Sequence, residues 1–203
     1  STFYANCQTL IKITAPGRPD IYQGRGLWDY SFVDPDNRRP VDYTLRINAL
    51  NQIIQKEREN RSDLLQYLND HRDEGLQKLF VTWKTLTFRK THAELFTQGE
   101  YIPLQINGEH SHALAYARKH TNHWILVITP LAIAQGSEVN HINLNTDFWK
   151  DLSIALPPDA PQRWINQFTR SEIHSNGTLN LSEALQDFPV VLLSGVVGEV
   201  HSP

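Results

Sequence analysis

The segment between Ala15 and Tyr43 concentrates side chains whose types and spacing could bind a polar ligand. It combines arginines, aspartates and an asparagine with aromatic rings, and its prolines limit the entropy lost when those groups are held still. Sugars suit such a mixture, because their C–H faces stack on aromatic rings while their hydroxyls need charged or amide partners. The candidate ligand-binding residues are Tyr22, Gln23, Trp28, Asp34, Asp36, Asn37, Arg38 and Arg39.

The same composition also fits a purely structural loop. Its aspartates could make turns and caps, and its arginines could pair with Asp29 or Asp42. From the residues alone, the two interpretations remain about equally open.

Catalysis is not predicted for this chain. Retaining glycoside chemistry needs two carboxyl groups about 5 to 5.5 Å apart, one of which carries a proton. Asp34 and Asp36 flank a proline and precede two arginines, Arg38 and Arg39, which favour the ionised form of both carboxyls. No proton donor remains, so the sequence predicts no catalytic residue.

Helices are the main elements that must position this segment. Apolar residues at helical spacing run to Ile13, and Ala15-Pro16-Gly17 ends that helix. A short strand is predicted at 20–23, followed by helices near 45–54, at 64–68 behind a Ser62 cap, and from about 74 to 92. A strand, a polar loop and a helix in this order are typical of parallel α/β sheets, which bind ligands beyond their strand ends.

From about residue 93 the apolar period changes to two, which predicts antiparallel strands. Residues 100–119 contain two alternating runs joined at Asn107-Gly108, and 123–134 form a more continuously apolar strand. Another pair is predicted around Asn176-Gly177, and 188–196 form the last strand. This half is expected to be a small antiparallel sandwich or barrel that packs on the helical half.

Composition and charge exclude several classes of function. The net charge is −3, with 19 basic and 22 acidic residues scattered along the chain, so no nucleic-acid partner is expected. No apolar run reaches the roughly 18 residues that span a bilayer, so no membrane partner is expected. Cys7 is the single cysteine and cannot form an internal disulfide, which favours a reducing, cytoplasmic location.

Metal, thiol and surface-aromatic sites are minor alternatives, and no cofactor is expected. Cys7 is expected to be a buried structural thiol. Four histidines lack a neighbouring cysteine or acidic cluster, so no metal site is predicted on them. They are His110, His112, His120 and His123. Three tryptophans in patterned segments are expected in the core, with surface sugar binding by one of them as the alternative. They are Trp83, Trp124 and Trp164.

Several stretches resemble a known enzyme family. "APGRPDIYQG", from Ala15 to Gly24, is similar to the eighth-strand segment of the α-amylase family of barrels. The longer "PDIYQGRGLWDYSFVDPDNRRPVDY" resembles, more narrowly, the maltooligosyl trehalose synthases. The resemblance continues through "HAELFTQGEYIPL" at 92–104, "ALAYAR" at 113–118, "WKDLSIALP" at 149–157 and "DFPVVLL" at 187–193.

This resemblance implies an α+β fold and a partner. Residues 1–92 would be the C-terminal remnant of a (β/α)8 barrel, with its last strand and helices, and 93–203 an antiparallel all-β sandwich domain. The missing N-terminal barrel portion of the same enzyme would be the partner. A partial barrel leaves surface uncovered, so self-association of the chain is a further expectation.

The resemblance also implies an activity for the intact enzyme. Family members isomerise the reducing-end α-1,4 linkage of a maltooligosaccharide to an α,α-1,1 linkage, with carboxylates from earlier barrel strands, so this chain alone is expected to be inactive. Gly26 stands where the family pattern has Glu, which removes any contact of that carboxylate. The alternative is a non-catalytic carbohydrate-binding or scaffold module.

Overall fold

The computed structural model describes residues 2–21, 27, 41–108, 112–131 and 146–198. The first half of the chain is helical, as predicted. Its α-helices are α1 (Thr2–Thr14), α2 (Tyr43–Glu59), α3 (Arg61–Asp70), α4 (Leu76–Thr91) and α5 (Ala93–Thr97), and a 3-10 turn (Arg72–Glu74) precedes α4. The stop after α1 is confirmed, and Gly17 there has a φ of 112°.

The second half contains antiparallel strands and two short helices. Its strands are β1 (Glu100–Leu104), β2 (Ile106–Asn107), β3 (Ala113–His120), β4 (His123–Pro130), β5 (Ser153–Ala155), β6 (Arg163–Asn166), β7 (Glu172–His174), β8 (Thr178–Asn180) and β9 (Val191–Val196). The helices are α6 (Thr146–Trp149) and α7 (Leu181–Ala184). One sheet has the order β1-β3-β4-β9-β6-β7 and the other β2-β5-β8, and their strand pairs are antiparallel. The antiparallel prediction is confirmed.

One pairing and one connection differ from the sequence predictions. The strands around Asn176-Gly177 do not pair with each other, because β7 pairs with β6 and β8 pairs with β5 of the other sheet. β1 does pair with β3, but β2 lies between them in the chain and joins the other sheet. An Asn-Gly sequence signals a positive φ, which is 75° at Gly177, and this geometry also suits a turn that carries the chain between sheets.

The six-stranded sheet is buried on both faces. One face, which includes Ile125 and Val127 of β4, packs against the helices in a first core. The other face, which includes Leu126 and Ile128, packs against the three-stranded sheet in a second core. Burial on both faces explains why β4 is a continuous apolar run rather than an alternating one.

The predicted boundary between 1–92 and 93–203 falls at the start of α5. The first core crosses it, because Leu10 and Phe80 of the helices share that core with Tyr116 and Leu192 of the sheet. The division into two domains therefore stays a prediction, although the expected packing of the two parts is observed.

The predicted barrel strand at 20–23 is described only in part. Asp20 and Ile21 lie in no strand, and the other two residues of the predicted strand lie outside the described ranges, so the barrel remnant stays a prediction.

The predicted Ser62 cap is wrong: Asn60 caps α3, because its side-chain oxygen accepts the backbone N–H of Ser62 and of Asp63. Among the described residues, no helix combines the length and hydrophobicity required to cross a membrane.

Candidate functional site

All eight predicted ligand-binding residues lie outside the described residues, as does Gly26. They are Tyr22, Gln23, Trp28, Asp34, Asp36, Asn37, Arg38 and Arg39. Their contacts therefore stay predictions. The structure does describe the residues at both ends of this segment and Leu27 within it, which is buried in the first core. The contacts of these residues show how the rest of the protein holds the two ends of the segment.

Two arginines from different elements bind the C-terminal end of α1, where the segment begins. Arg89 of α4 donates to the carbonyl oxygens of Ile13 at 2.6 Å and Gly17 at 2.9 Å. Arg118 of β3 is only 3% exposed and donates to the carbonyl of Thr14 at 3.3 Å. The last carbonyls of a helix lack intrahelical partners and carry partial negative charge, so guanidinium groups stabilise them.

The second guanidinium nitrogen of Arg118 connects this helix end to the second half of the chain. It donates to the carbonyl oxygens of Phe96 and Gly99, each at 3.0 Å. A side chain cannot be added at Gly99, because its Cβ would lie 2.0 Å from the carbonyl oxygen of Leu95. Burial, together with the charge of nearby Arg89, lowers the pKa of Arg118 from its ordinary value.

A hydroxyl pair anchors the same helix end. The Thr14 hydroxyl donates to the carbonyl of Leu10 at 2.6 Å, which leaves its oxygen to accept the Tyr116 hydroxyl, also at 2.6 Å. Burial raises the pKa of Tyr116 to about 12, so this phenol remains a hydrogen-bond donor at neutral pH. We call Arg89, Tyr116 and Arg118 the α1 clamp.

The other end of the segment leads into α2. The Asp42 side chain caps this helix by accepting the backbone N–H of Leu45 at 2.9 Å. The first turns of α2 nevertheless present apolar side chains to solvent, with Leu45 53% and Ile47 55% exposed. Ile21, on the other side of the segment, is 42% exposed. Exposed apolar side chains therefore lie before and after the segment in the chain.

A buried carboxylate lies elsewhere in the helical layer. Glu57 of α2 forms ion pairs with Arg61, with Lys84 at 2.8 Å and with Arg170 at 3.4 Å. Burial alone would raise its pKa, but hydrogen bonds and charge from Lys84 and Arg61 lower the pKa below its ordinary value. Glu57 is thus held ionised and serves as an ion-pair partner rather than a proton donor.

The minor alternatives are not supported where the structure describes them. Cys7 is in the first core, and burial raises the pKa of its thiol to about 12, so it is not a nucleophile at neutral pH. His110 lies outside the described residues. Within the described ranges, no group of three or more His, Cys, Asp or Glu side chains could hold a metal ion.

The predicted burial of the tryptophans is largely confirmed. Trp124 and Trp164 are 1% and 0% exposed in the second core, and Trp83 is partly buried against the first. The two buried rings cannot stack on a sugar, because their faces are covered by protein.

Sequence reasoning missed the α1 clamp, although a signal for it exists. In "ALAYARKH" the alanines at 113, 115 and 117 face the second core, while Tyr116 shares the first core with the helices. Strand alternation places Arg118 on the same face as Tyr116. A charged residue on an inward strand face indicates a specific buried partner.

Comparison with known proteins supports the resemblance. Proteins from two strains of Mycobacterium tuberculosis, provisionally named maltooligosyl trehalose synthase, are each 34% identical to this chain over 185 residues. The match covers 91% of this chain and 19% of each relative, so the chain spans about a fifth of the length of the curated relatives it matches. No family model matches the chain.

A solved structure agrees with these relatives. The crystal structure of a maltooligosyl trehalose synthase matches 94% of this chain with a TM-score of 0.58 and 25% identity, and the match covers 22% of that structure's chain. The similarity of this chain to maltooligosyl trehalose synthases is therefore confirmed over nearly its whole length.

Proposed function

We propose that this chain is the C-terminal part of a maltooligosyl trehalose synthase. The parent enzyme would convert the reducing-end α-1,4 linkage of a maltooligosaccharide into an α,α-1,1 linkage by intramolecular transglycosylation. The observation that carries this proposal is the 34% identity to relatives of that name over 91% of the chain. The catalytic carboxylates would come from the rest of the parent, which makes this chain inactive alone.

The segment after α1 would hold the glucose that is released during the reaction. An isomerising site must retain that glucose, let it turn, and exclude water until its anomeric hydroxyl attacks the glycosyl enzyme. Five polar side chains would line or brace this subsite, with Tyr22, Gln23 and Trp28 behind them. The five are Asp34, Asp36, Asn37, Arg38 and Arg39.

Substitution of Arg38 or Arg39 by Ala in the complete enzyme tests this role. Loss of a guanidinium that retains the glucose lets water compete for the glycosyl enzyme, so hydrolysis should rise relative to isomerisation by on the order of tenfold. The ratio of glucose to α,α-1,1 product measures the change. Arg58→Ala, at an exposed position of α2 outside the segment, is the control. Unchanged product ratios in both segment variants would contradict the assignment.

The partner of this chain would be the remaining barrel portion of the same polypeptide. The exposed apolar side chains Ile21, Leu45 and Ile47 support this, because such side chains mark a contact surface where they form a continuous patch. We place the enzyme in the cytoplasm, where Cys7 would stay reduced.

The intact mass of the polypeptide in its source cell tests this partner. An antibody raised against residues 93–203 would capture it. A mass several times 23.3 kDa agrees with the proposal. A mass near 23.3 kDa contradicts it and favours the non-catalytic carbohydrate-binding module. If a chain of that mass elutes as a dimer in size-exclusion chromatography, self-association through the same surface is favoured.

A further inference from the structure

Two of the sequence stretches that carry the family resemblance meet at one buried side chain, which also binds the residue before a third. Arg118 belongs to "ALAYAR", and it donates to Phe96 and Gly99 of "HAELFTQGEYIPL". It also donates to Thr14, the residue directly before "APGRPDIYQG". Arg89 reaches into that last stretch itself, by donating to the carbonyl of Gly17. The clamp therefore joins the sheet half of the chain to the first residues of the candidate site.

The Arg118 guanidinium is buried with carbonyl oxygens as its hydrogen-bond partners and the Phe96 ring beside it, and this burial needs a physical reason. No carboxylate in the described residues forms an ion pair with Arg89 or Arg118, and the Nε of Arg118 is buried without a partner. A buried charge is costly, and an apolar side chain would fill the same space more cheaply. What the guanidinium provides is a rigid planar fork that fixes several carbonyl oxygens relative to one another.

We propose that Arg89 and Arg118 are positioning residues for the sugar-binding segment. They fix the end of α1 and the turn to Gly17, and so fix the point from which the chain enters this segment. Neither side chain needs to touch the sugar, because both act through the backbone they hold. The role of the two arginines in sugar binding rests on the proposed function, whereas their role in holding the end of α1 does not.

Lysine substitutions test the clamp in the complete enzyme. Arg89→Lys and Arg118→Lys keep the charge but lose the fork, so a single ammonium cannot reach the same set of carbonyls. Arg61→Lys is the matched control. Arg61 is also largely buried, donates to the carbonyl of Phe168 at 2.8 Å, and lies 5.7 Å from the Phe80 ring, as Arg118 lies 5.9 Å from that of Phe96.

Two measurements separate positioning from general stability. Amide hydrogen exchange at residues 11–21 should become about tenfold faster in the clamp variants and stay unchanged in Arg61→Lys, because local opening follows the lost hydrogen bonds. The ratio of isomerisation to hydrolysis should fall several-fold in the clamp variants only. Tyr116→Phe, which removes one hydroxyl, should show the same pattern more weakly and serves if a lysine variant does not fold.

Each outcome decides one part of the proposal. Unchanged exchange at residues 11–21 overturns the clamp itself. Faster exchange with an unchanged product ratio overturns its role in positioning the site. An equal fall of the ratio in Arg61→Lys also overturns that role, since it reflects stability alone. If the unsubstituted enzyme makes no α,α-1,1 product, the proposed function fails, while the exchange result still decides whether the clamp holds the helix end.

Discussion

Glu57 shows how a single buried charge can tie several elements together. Its carboxylate, on α2, receives cations from α3, from α4 and from the turn between β6 and β7. Arg61 also donates to the carbonyl of Phe168 in that turn. Removal of the one anion would leave these cations facing each other in a largely buried site, which is where electrostatic effects are strongest.

Glu57→Gln should therefore destabilise the protein. Since Lys84 and Arg170 partly reach water, we expect a loss of about 2–3 kcal/mol in the free energy of unfolding, below the usual range for a fully buried pair. Urea denaturation at pH 7 measures it. Glu59→Gln, at an exposed position on the same helix, should change the free energy by less than about 0.5 kcal/mol. Equal effects of the two substitutions would refute this account of Glu57.

The pH dependence of the same group has a definite sign. The folded-state pKa of Glu57 lies below its ordinary value of 4.5, so its contribution is complete above about that pH. That contribution is lost as the pH falls through the folded-state pKa. The stability difference between the wild type and Glu57→Gln should therefore shrink under acidic conditions, as urea midpoints measured from pH 7 down to pH 3 would show. A stability difference that grows as the pH falls would contradict this account of Glu57.

At the scale of elements, sequence pattern predicted where helices and strands lie better than how they are joined. The period of apolar residues identified α1, α4 and β4, because one buried face or two set that period directly. It could not predict that β8 pairs with β5, since an Asn-Gly turn fixes local φ but not which sheet the chain enters. The charged residue on the inward face of β3 could have indicated that Arg118 is buried, but not what it binds, because the partners of Arg89 and Arg118 are backbone carbonyls and leave no mark on the sequence.

The cap of α3 is a testable case of such a local error. Ser62 follows the usual pattern of a capping residue, but Asn60 makes the capping hydrogen bonds. Asn60→Ala should cost about 1 kcal/mol of stability, whereas Ser62→Ala should cost less than about 0.5 kcal/mol. Thermal denaturation of the two variants compares them. A larger loss in Ser62→Ala would restore the sequence-based assignment.

At the scale of the whole molecule, the helices, the six-stranded sheet and the three-stranded sheet form three layers with two cores between them. The middle sheet belongs to both cores. The second core consists of residues from 93–203 alone, whereas the first is shared by both predicted halves, so residues 1–92 have no core of their own. This arrangement could not be predicted from the sequence, because a change of apolar period marks a change of element type and not the limit of a core.

The shared first core predicts a single cooperative unfolding transition. Far-UV circular dichroism follows mainly the helices, while tryptophan fluorescence follows mainly the second core, which holds Trp124, Trp149 and Trp164 of the five tryptophans. The two signals should have the same urea midpoint, because the middle sheet cannot lose one neighbour and keep its packing. Midpoints that differ clearly would instead support independent domains at 1–92 and 93–203.

The central claim concerns the reaction of the complete enzyme, and product analysis tests it most directly. The full polypeptide would be incubated with maltopentaose, and reducing ends and free glucose would be followed together. An isomerase that joins the terminal residues by an α,α-1,1 bond removes reducing ends with little release of glucose, and we predict this result. Release of glucose without loss of reducing ends, or no change in either, would contradict the assignment.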